Sequence, residues 1–207
     1  LLQKETVLGT VNSNYVNIKR ALDIVFAGFF LLLLSPFMLL ISLAIKLESK
    51  GPVFFVQERL GMNKIPFDCY KFRTMIKEAE SKSGPVWASL GDERITGIGK
   101  MLRKTRMDEL PQLYNILVGE MSFIGPRPIR KFFADQLATV IPFYDLRFSV
   151  QPGLSGWAQV SYGYAASDDD QREKFEYDLF YIQNVSLILD AMILIKTLKT
   201  LFQVQGK

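Results

Sequence analysis

An uncharged apolar segment near the start of the chain sets the strongest limit on its fold. The 22 residues from Ile24 to Ile45 contain no charged side chain. As one helix they would measure roughly 33 Å at ~1.5 Å per residue, enough for the ~30 Å hydrocarbon core of a bilayer. Ser35 and Pro36 stand near the middle of this segment. Membrane helices tolerate such a proline when a serine or a neighbouring group satisfies the freed carbonyl, so Pro36 permits a kink.

The charges that flank this segment favour one side of the membrane. Lysine or arginine stands at both ends: Lys19, Arg20, Lys46 and Lys50. Positive residues in short flanks mark the cytoplasmic side. A helix that enters, bends at Ser35-Pro36 and returns satisfies the charges and the proline together, whereas a spanning helix satisfies only the length. We therefore predict a re-entrant membrane helix over residues 19–50, with a kinked spanning helix and a buried core helix as alternatives.

Composition limits the chemistry of the remaining chain. A length of 207 residues suits one domain with a real core, and the first residue, Leu1, leads us to expect a fragment or a processed product. The absence of histidine excludes Ser-His-Asp and Cys-His nucleophilic sites and the commonest zinc ligand sets. The lone Cys69 cannot form an intrachain disulfide and is interpreted as a core residue. We therefore expect carboxylates to supply any acid, base, nucleophile or metal ligand.

The hydrophobic pattern predicts a helix-dominated α/β fold. Residues 1–18 are polar and are interpreted as a linker or arm, and residues 51–207 as the main folded domain. Two apolar runs around Gly61 and Asn63 predict a β-hairpin, and the Gly- and Pro-rich residues 82–97 predict a loop. Apolar residues at helical spacing predict two successive helices: Ile98, Met101 and Leu102, then Leu110, Leu113, Tyr114 and Leu117. The C-terminal apolar run predicts an interfacial helix, with a core helix as the alternative.

The densest charged site surrounds two adjacent carboxylates, Asp108 and Glu109. Four cations directly precede them: Lys100, Arg103, Lys104 and Arg106. Because Pro111 suits the first turn of a helix, Asp108 fits as its N-cap, which is the structural interpretation. The functional interpretation uses the same electrostatics, since a carboxylate beside cations stays ionised and can attack phosphorus. Its neighbour can hold Mg²⁺ against a diphosphate.

Two further basic stretches suit an anionic ligand. Lys71 and Arg73 lie near the end of the predicted hairpin, and Arg127 stands between two prolines that stiffen its loop. A solvated turn is the alternative for the Arg127 loop. The acidic run of Asp168, Asp169 and Asp170 is interpreted as a solvated helix start, with a metal-binding Asp-x-Asp pair as the alternative.

Six motifs in one order resemble those of a known family. They read KRALDIVFAGFF, GPVFFVQERLG, YKFRTM, DELPQLYNIL, GEMSFIGPRP and PGLSGWAQV. From Lys19 nearly to its end, the chain resembles the bacterial sugar transferases, monotopic polyprenyl-phosphate phosphoglycosyl transferases. The resemblance implies transfer of a sugar phosphate from a UDP-sugar to undecaprenyl phosphate, with release of UMP. It also implies Mg²⁺, a re-entrant membrane helix and a catalytic domain over residues 51–207.

The resemblance assigns roles to individual residues. It makes Asp108 the nucleophile and Glu109 the magnesium-binding carboxylate, which reverses the preference for Asp108 as a simple helix cap. The substrate-binding residues that it implies are Lys71, Arg73, Arg103, Pro126, Arg127 and Pro128. We add the neighbouring cation Arg106 to this predicted set. The chain departs from the family at Gln151, where many members carry Arg or Lys, and near Tyr164, where an arginine is expected. Because they remove a cation near the substrate, these departures bear on which sugar is bound and on one contact to phosphate.

The expected partners follow from this interpretation. They are a UDP-sugar, undecaprenyl phosphate and membrane lipids, and the sequence is compatible with a homo-oligomer. The formal charge of +4 is modest and its cations can be assigned to diphosphate and headgroups, so nucleic acid is not expected. We expect a bacterial inner-membrane protein with its catalytic domain in the cytoplasm. A glycosyltransferase that uses the three aspartates and releases UDP, and a non-catalytic membrane scaffold, remain the alternatives.

Overall fold

The computed structural model describes residues 13–76, 94–162 and 168–202, which form a helix-dominated α/β fold. In chain order the elements are α1 (Ser13–Glu48), β1 (Phe54–Leu60), β2 (Pro66–Phe72), α2 (Gly97–Thr105), α3 (Gln112–Val118), β3 (Ser122–Ile124), α4 (Lys131–Val140), β4 (Gly153–Ser155), α5 (Trp157–Ser161), α6 (Asp168–Gln183) and α7 (Leu187–Phe202). Helix-dominated α/β was the predicted class.

The predicted hairpin is confirmed. Strands β1 and β2 pair antiparallel, with Gln57 opposite Cys69 and Phe55 opposite Lys71. Asn63 takes the left-handed conformation (φ 56°) in the turn, which asparagine tolerates better than most residues. Alternate residues of a strand point to the same face, so Lys71 shares a face with Cys69, which is buried as predicted.

A second, smaller sheet was not predicted. Strands β3 and β4 pair in parallel, with Ser122 opposite Gly153 and Ile124 opposite Ser155. Each is three residues long, too short for a periodic pattern to identify. The backbones approach closely, because a Cβ atom at Gly153 would overlap the backbone of Gly125.

Helix α1 contains the whole apolar segment and runs through Pro36 as one helix of 36 residues. The Ser35 hydroxyl donates a 2.8 Å hydrogen bond to the carbonyl of Leu32, the acceptor that the missing N–H of Pro36 would otherwise bond. The chain is already helical at Ser13, before the predicted start of the membrane segment at Lys19. Among the described residues α1 is the one helix long and apolar enough to cross a membrane.

One face of α1 packs along the rest of the fold. Ala27 in its first half lies in a buried cluster with Leu113 and Ile116 of α3. Ile41 in its second half lies in another cluster, with Phe72 of β2 and Leu102 of α2. Only 11% of the most apolar 18-residue window of α1 is buried, which rules out a helix enclosed in a soluble core.

The C-terminal apolar run, which was predicted to be interfacial, forms two helices. Helix α6 ends at Gln183 and α7 begins at Leu187. Leu189 and Ile193 on one side of α7 are buried, so that side belongs to the core. Of the predicted loop over residues 82–97, only the part from residue 94 lies within the described residues, and Gly97 already begins α2.

Candidate active site

The two adjacent carboxylates lie in a short 3₁₀ turn, Met107–Glu109, between α2 and α3. Arg106 ends α2 in the left-handed conformation (φ 58°) and reverses the chain into this turn. The interpretation of Asp108 as the N-cap of the next helix is wrong, because α3 begins at Gln112 with Pro111 as its N-cap residue. Pro111 does mark the start of a helix, but the helix begins one short turn later than predicted. The turn before it carries both carboxylates.

Glu109 is buried and neutralised by two cations. Its Oε1 atom lies 2.7 Å from the Lys71 ammonium and 2.5 Å from a guanidinium nitrogen of Arg127. Burial alone would raise the pKa of the Glu109 carboxyl, but the charges and hydrogen bonds of Arg127 and Lys71 hold it far below its ordinary value. Glu109 is therefore ionised at neutral pH. Its two ion pairs connect β2 to the Arg127 loop.

Asp108 has a different environment from its neighbour. Its side chain is partly buried, and it makes no hydrogen bond or ion pair with any residue in the described part of the chain. Burial, followed by the negative charge of Glu109, raises the pKa of the Asp108 carboxyl above its ordinary value, although Lys71, Arg103 and Arg127 oppose the shift. The three cations therefore do not outweigh burial and the Glu109 charge in setting the pKa of Asp108.

The predicted basic residues of α2 lie in different surroundings. The Arg103 Nε atom donates a 2.8 Å hydrogen bond to the Thr74 hydroxyl, and its charge acts on Asp108. Arg106 is exposed at the end of α2. The structure thus brings Arg103 to the carboxylate turn and orients it through Thr74, whereas substrate binding by Arg106 stays a prediction.

Arg73 is occupied at the end of the long helix. Its guanidinium donates to the backbone carbonyls of Ser49 (2.8 Å) and Lys50 (3.1 Å) and to the Ser49 hydroxyl. Because carbonyls at a helix C-terminus lack intrahelical donors, a buried arginine there caps the helix. The structure therefore gives Arg73 a structural role and does not bring it to Glu109; its predicted contact with substrate stays a prediction.

The Arg127 loop has the form expected of a stiff segment. Pro126 and Pro128 on either side are both buried, while the Arg127 side chain is 40% exposed and reaches Glu109. Exposure at this level leaves guanidinium N–H groups open to an anionic ligand.

Sequence reasoning missed two residues of the hairpin. Gln57 and Arg59 alternate on β1, and with Lys71 opposite Phe55 they share the face that carries Lys71. Arg59 donates to the Gln57 side-chain oxygen and, at 3.3 Å, to the carbonyl of Pro128. Burial, with the charges of Arg127 and Arg130, lowers the pKa of Arg59 to about 10. The period-2 pattern within GPVFFVQERLG was the signal that could have identified them.

The departure at Gln151 lies away from the carboxylates. Its amide nitrogen donates a 2.6 Å hydrogen bond to the carbonyl of Gly119, the C-cap residue of α3. Arg20 of α1 caps the same helix end through the carbonyls of Ile116 and Leu117. Gln151 therefore has a structural partner, and the other departure, Tyr164, lies outside the described residues.

Comparison with known proteins places these residues in a family. The model of the bacterial sugar transferase family matches residues 14–204. A UDP-N-acetylgalactosamine-undecaprenyl-phosphate N-acetylgalactosaminephosphotransferase of Aeromonas hydrophila is 51% identical over 187 residues, covering 90% of this chain and 44% of the relative. The UDP-glucose:undecaprenyl-phosphate glucose-1-phosphate transferase of Escherichia coli K12 is 42% identical, covering 87% of this chain and 39% of the relative.

A shorter relative is matched over more of its length. The UDP-glucose:undecaprenyl-phosphate glucose-1-phosphate transferase of Caulobacter vibrioides is 42% identical over 187 residues, 69% of the relative. The chain thus spans less than half of the first two relatives and about two thirds of the third. The family match extends over nearly all of the described fold, including both carboxylates and the Arg127 loop. This chain belongs to the bacterial sugar transferase family.

Proposed function

We propose that this chain transfers a sugar phosphate from a UDP-sugar to undecaprenyl phosphate and releases UMP, as the first membrane step of polysaccharide or glycoconjugate assembly. One observation carries the proposal: two adjacent carboxylates have opposite environments. Glu109 is held by Lys71 and Arg127, while the Asp108 carboxylate has no partner among the described residues. An unpaired carboxylate beside fixed cations suits attack on an anionic phosphate.

The reaction divides into two displacements at one phosphorus atom. A carboxylate oxygen of Asp108 attacks the β-phosphorus, and the bond to the bridging oxygen breaks so that UMP leaves with the electron pair. The enzyme then carries the phosphosugar as an acyl phosphate. A phosphate oxygen of the lipid attacks the same phosphorus, and Asp108 regains its carboxylate. The elevated pKa of Asp108 makes its ionised form more basic than that of an ordinary aspartate and therefore a stronger nucleophile.

Fixed positive charge reduces the repulsion between the attacking carboxylate and the diphosphate. Lys71 and Arg127 meet at Glu109, and Arg103 is oriented by its hydrogen bond to Thr74. Groups that are already in position need no reorganisation when charge moves during the reaction. We assign these three residues to the phosphates of the nucleotide sugar.

Mg²⁺ fits the carboxylate oxygen of Glu109 that the two cations leave unbound. Both cations bind Oε1 of Glu109, and no described residue donates to its other oxygen, Oε2. Mg²⁺ in phosphoryl-transfer sites is bound by one or two carboxylates together with substrate phosphates. Glu109 Oε2, with Asp108 beside it, would hold the ion, and the metal would supply further neutralisation of the diphosphate.

A re-entrant membrane helix accounts for the contacts of α1. Arg20 near its start binds carbonyls of α3, and Glu48 at its end accepts a hydrogen bond from the backbone N–H of Ile98 in α2. A spanning helix would place these two residues on opposite sides of about 30 Å of hydrocarbon, although both bind one compact set of helices. Because leucines such as Leu32 and Leu39 are more than 70% exposed, we assign that face of α1 to lipid.

The C-terminal helix fits the same membrane surface. Ile188 and Ile195 of α7 are 75% and 66% exposed, opposite the buried Leu189 and Ile193. A helix with one face in the core and an apolar outer face is suited to lie at the headgroup level. Together with the lysine and arginine flanks of α1, this supports our assignment of the proposed active site to the cytoplasmic side of the bacterial inner membrane.

Product analysis tests the function against its rivals. The protein is incubated with undecaprenyl phosphate, Mg²⁺ and a panel that includes UDP-N-acetylgalactosamine and UDP-glucose. We expect UMP; release of UDP would indicate the glycosyltransferase that uses Asp168, Asp169 and Asp170, and release of neither would indicate a scaffold. Without lipid, the mass of the intact protein should increase by one phosphosugar, and peptide analysis should find it on Asp108. Asp108→Asn should abolish the adduct, whereas the exposed Asp135→Asn serves as the matched control.

A further inference from the structure

The segment that carries Arg127 is fixed through its carbonyl groups. Proline has no N–H to donate, so Pro126 and Pro128 can anchor the backbone only as acceptors. Four successive carbonyls each accept a hydrogen bond: Pro126 from Gly153 N (2.9 Å), Arg127 from the Arg147 guanidinium (3.0 Å), and Pro128 and Ile129 from two neighbouring residues of β1, the Arg59 guanidinium (3.3 Å) and Leu60 N (2.9 Å). The carbonyl of Arg127 itself therefore depends on one side chain, Arg147.

Arg147 is itself held by a buried ion pair. The guanidinium nitrogen that donates to the Arg127 carbonyl also lies 2.9 Å from a carboxylate oxygen of Asp178, and the two side chains are 9% and 6% exposed. A second guanidinium nitrogen of Arg147 donates to the Tyr144 hydroxyl. Asp178 belongs to α6 and lies 31 positions after Arg147 in the chain, so the pair connects a distant helix to the Arg127 loop.

A buried ion pair at this position contributes little net stability to the core. A buried ion pair loses much of its Coulombic gain to desolvation, and hydrophobic residues of similar volume often give equal or greater stability. The pair lies beside an apolar cluster that includes Tyr144, Phe148 and Phe175, where packing alone could have served. What a hydrophobic pair could not provide is a charged donor directed at the carbonyl of Arg127.

We propose that Arg147 and Asp178 form a positioning pair that holds the backbone of Arg127 so that its guanidinium meets Glu109 beside the nucleophile. This inference rests on the proposed function. Neither residue contacts the Asp108 and Glu109 carboxylates among the contacts described, so both act through Arg127. Because a displacement of about 1 Å in a positioning group can cost about 100-fold in rate, we expect Asp178→Asn to lower kcat/KM for the UDP-sugar by about 10- to 100-fold.

A double-mutant cycle on kcat/KM separates positioning from general destabilisation. The cycle combines Asp178→Asn with Arg127→Lys, which keeps a charge but loses the guanidinium geometry. If Asp178 acts through Arg127, the double variant should be no more than about twofold slower than Arg127→Lys alone. Asp190→Asn is the matched control, since Asp190 is also a buried carboxylate in an ion pair, with Lys19 at 2.7 Å, and its other side-chain partners in the described chain are Tyr15 and Tyr181 rather than the Arg127 loop. Asp190→Asn should act independently of Arg127→Lys, so in the double variant their two fold-changes in kcat/KM should multiply.

The outcomes are distinct. Effects of Asp178→Asn and Arg127→Lys that multiply, or a wild-type kcat/KM in Asp178→Asn, would overturn the positioning role while leaving the proposed function intact. If the wild type released no UMP with any UDP-sugar, the proposed function would fail and the positioning role with it. Should Asp178→Asn not fold, Tyr144→Phe removes the hydroxyl that accepts from Arg147 and keeps the ring, and it enters the same cycle with the same criterion.

Discussion

Lys71 and Glu109 are 38 positions apart in the chain, yet the ammonium nitrogen of one lies 2.7 Å from Oε1 of the other. Arg127 binds the same oxygen at 2.5 Å, so Glu109 connects β2, the carboxylate turn and the Arg127 loop. Asp108, the next residue, has no such partner within the described chain. Two neighbouring carboxylates thereby have different environments: Glu109 is paired with two cations, and Asp108 has no hydrogen-bond or ion-pair partner within the described chain.

Glu109→Gln is expected to destabilise the fold. The folded-state pKa of Glu109 is depressed, so its ionised form contributes stability that is present above the ordinary glutamate pKa and is lost as pH falls through the folded-state value. Glutamine leaves Lys71 and Arg127 without their counter-charge. We expect a loss of about 3 kcal/mol at neutral pH, the lower part of the range for breaking a buried ion pair, because the amide oxygen still accepts a hydrogen bond. Denaturant unfolding in detergent micelles measures it, and wild-type stability in Glu109→Gln would contradict the assignment.

Asp108→Asn is expected to have the opposite effect on stability. The folded-state pKa of Asp108 is raised, so the stability that its protonated form contributes is complete below the ordinary aspartate pKa and is lost as pH rises through the folded-state value. At neutral pH the carboxylate therefore costs stability, and asparagine removes that cost. The variant should unfold at a higher temperature than the wild type while forming no phosphosugar adduct. A lower unfolding temperature at neutral pH would show that the charge of Asp108 is stabilising.

The pH dependence of adduct formation should report the ionisation of Asp108. In the proposed mechanism the attacking group is the carboxylate, and its raised pKa should place the acid limb of the profile above the pH at which an ordinary aspartate ionises. Arg103 lowers this pKa, so Arg103→Gln should move the limb to still higher pH. Lys131→Gln removes a cation that pairs on the surface with Asp135 and should leave the midpoint unchanged. Single-turnover rates between pH 4 and 8, in steps of about half a unit, test both, and a limb that Arg103→Gln does not move would refute the assignment.

Local patterns in the sequence predicted much of the fold. Alternation around Asn63 identified the hairpin, and apolar spacing at Ile98 and Leu113 identified the two helices that flank the carboxylates. These elements are specified by periodicity over at least a full turn or strand. The position of Asp108 was misread because a proline at residue 111 is equally compatible with a helix that begins one turn later.

Long-range partners explain the rest of what the sequence could not reveal. Arg73 lies between Lys71 and Thr74, both of which contact site residues, but its own partners are carbonyls at the end of α1. Arg147 carries no local motif, and its role depends on Asp178 and on the carbonyl of Arg127. Which backbone carbonyl an arginine meets is determined by tertiary packing, and a single sequence does not encode it as a pattern.

Gly99 in α2 is expected to tolerate no side chain. A Cβ atom there would overlap the carbonyl oxygen of Thr74, the residue whose hydroxyl orients Arg103. Gly99→Ala should cost about 1–3 kcal/mol as an overpacking change and should lower kcat/KM by displacing Arg103. Gly28→Ala in α1 is the matched control, since its Cβ would meet only a Leu117 methyl at 3.9 Å, and it should be neutral or slightly stabilising. Equal unfolding temperatures for the two variants would contradict the close approach.

Ser35 and Pro36 are expected to determine the membrane topology of α1. The Ser35 hydroxyl already satisfies the carbonyl of Leu32, so the proline lowers the cost of bending at this point without leaving an unpaired acceptor. Replacing the pair by Ala and Leu restores an ordinary N–H donor to Leu32 and should favour a straight, spanning helix. Ser42→Ala is the control, because Ser42 makes a similar 2.7 Å bond to the carbonyl of Met38 with no proline after it.

Cysteine labelling at two exposed positions reads out this topology. Asn17→Cys and Glu58→Cys, introduced one at a time, place thiols before Lys19 and after Lys50, while the native Cys69 is 2% exposed and protected. In intact cells, a membrane-impermeant maleimide should label neither position in the wild-type or Ser42→Ala background, and both after permeabilisation. In the double Ser35 and Pro36 variant one position should become accessible from outside, because a spanning helix separates the ends by about 30 Å of hydrocarbon. Opposite sides in the wild type would refute the re-entrant helix, and unchanged labelling in the double variant would remove the role assigned to these two residues.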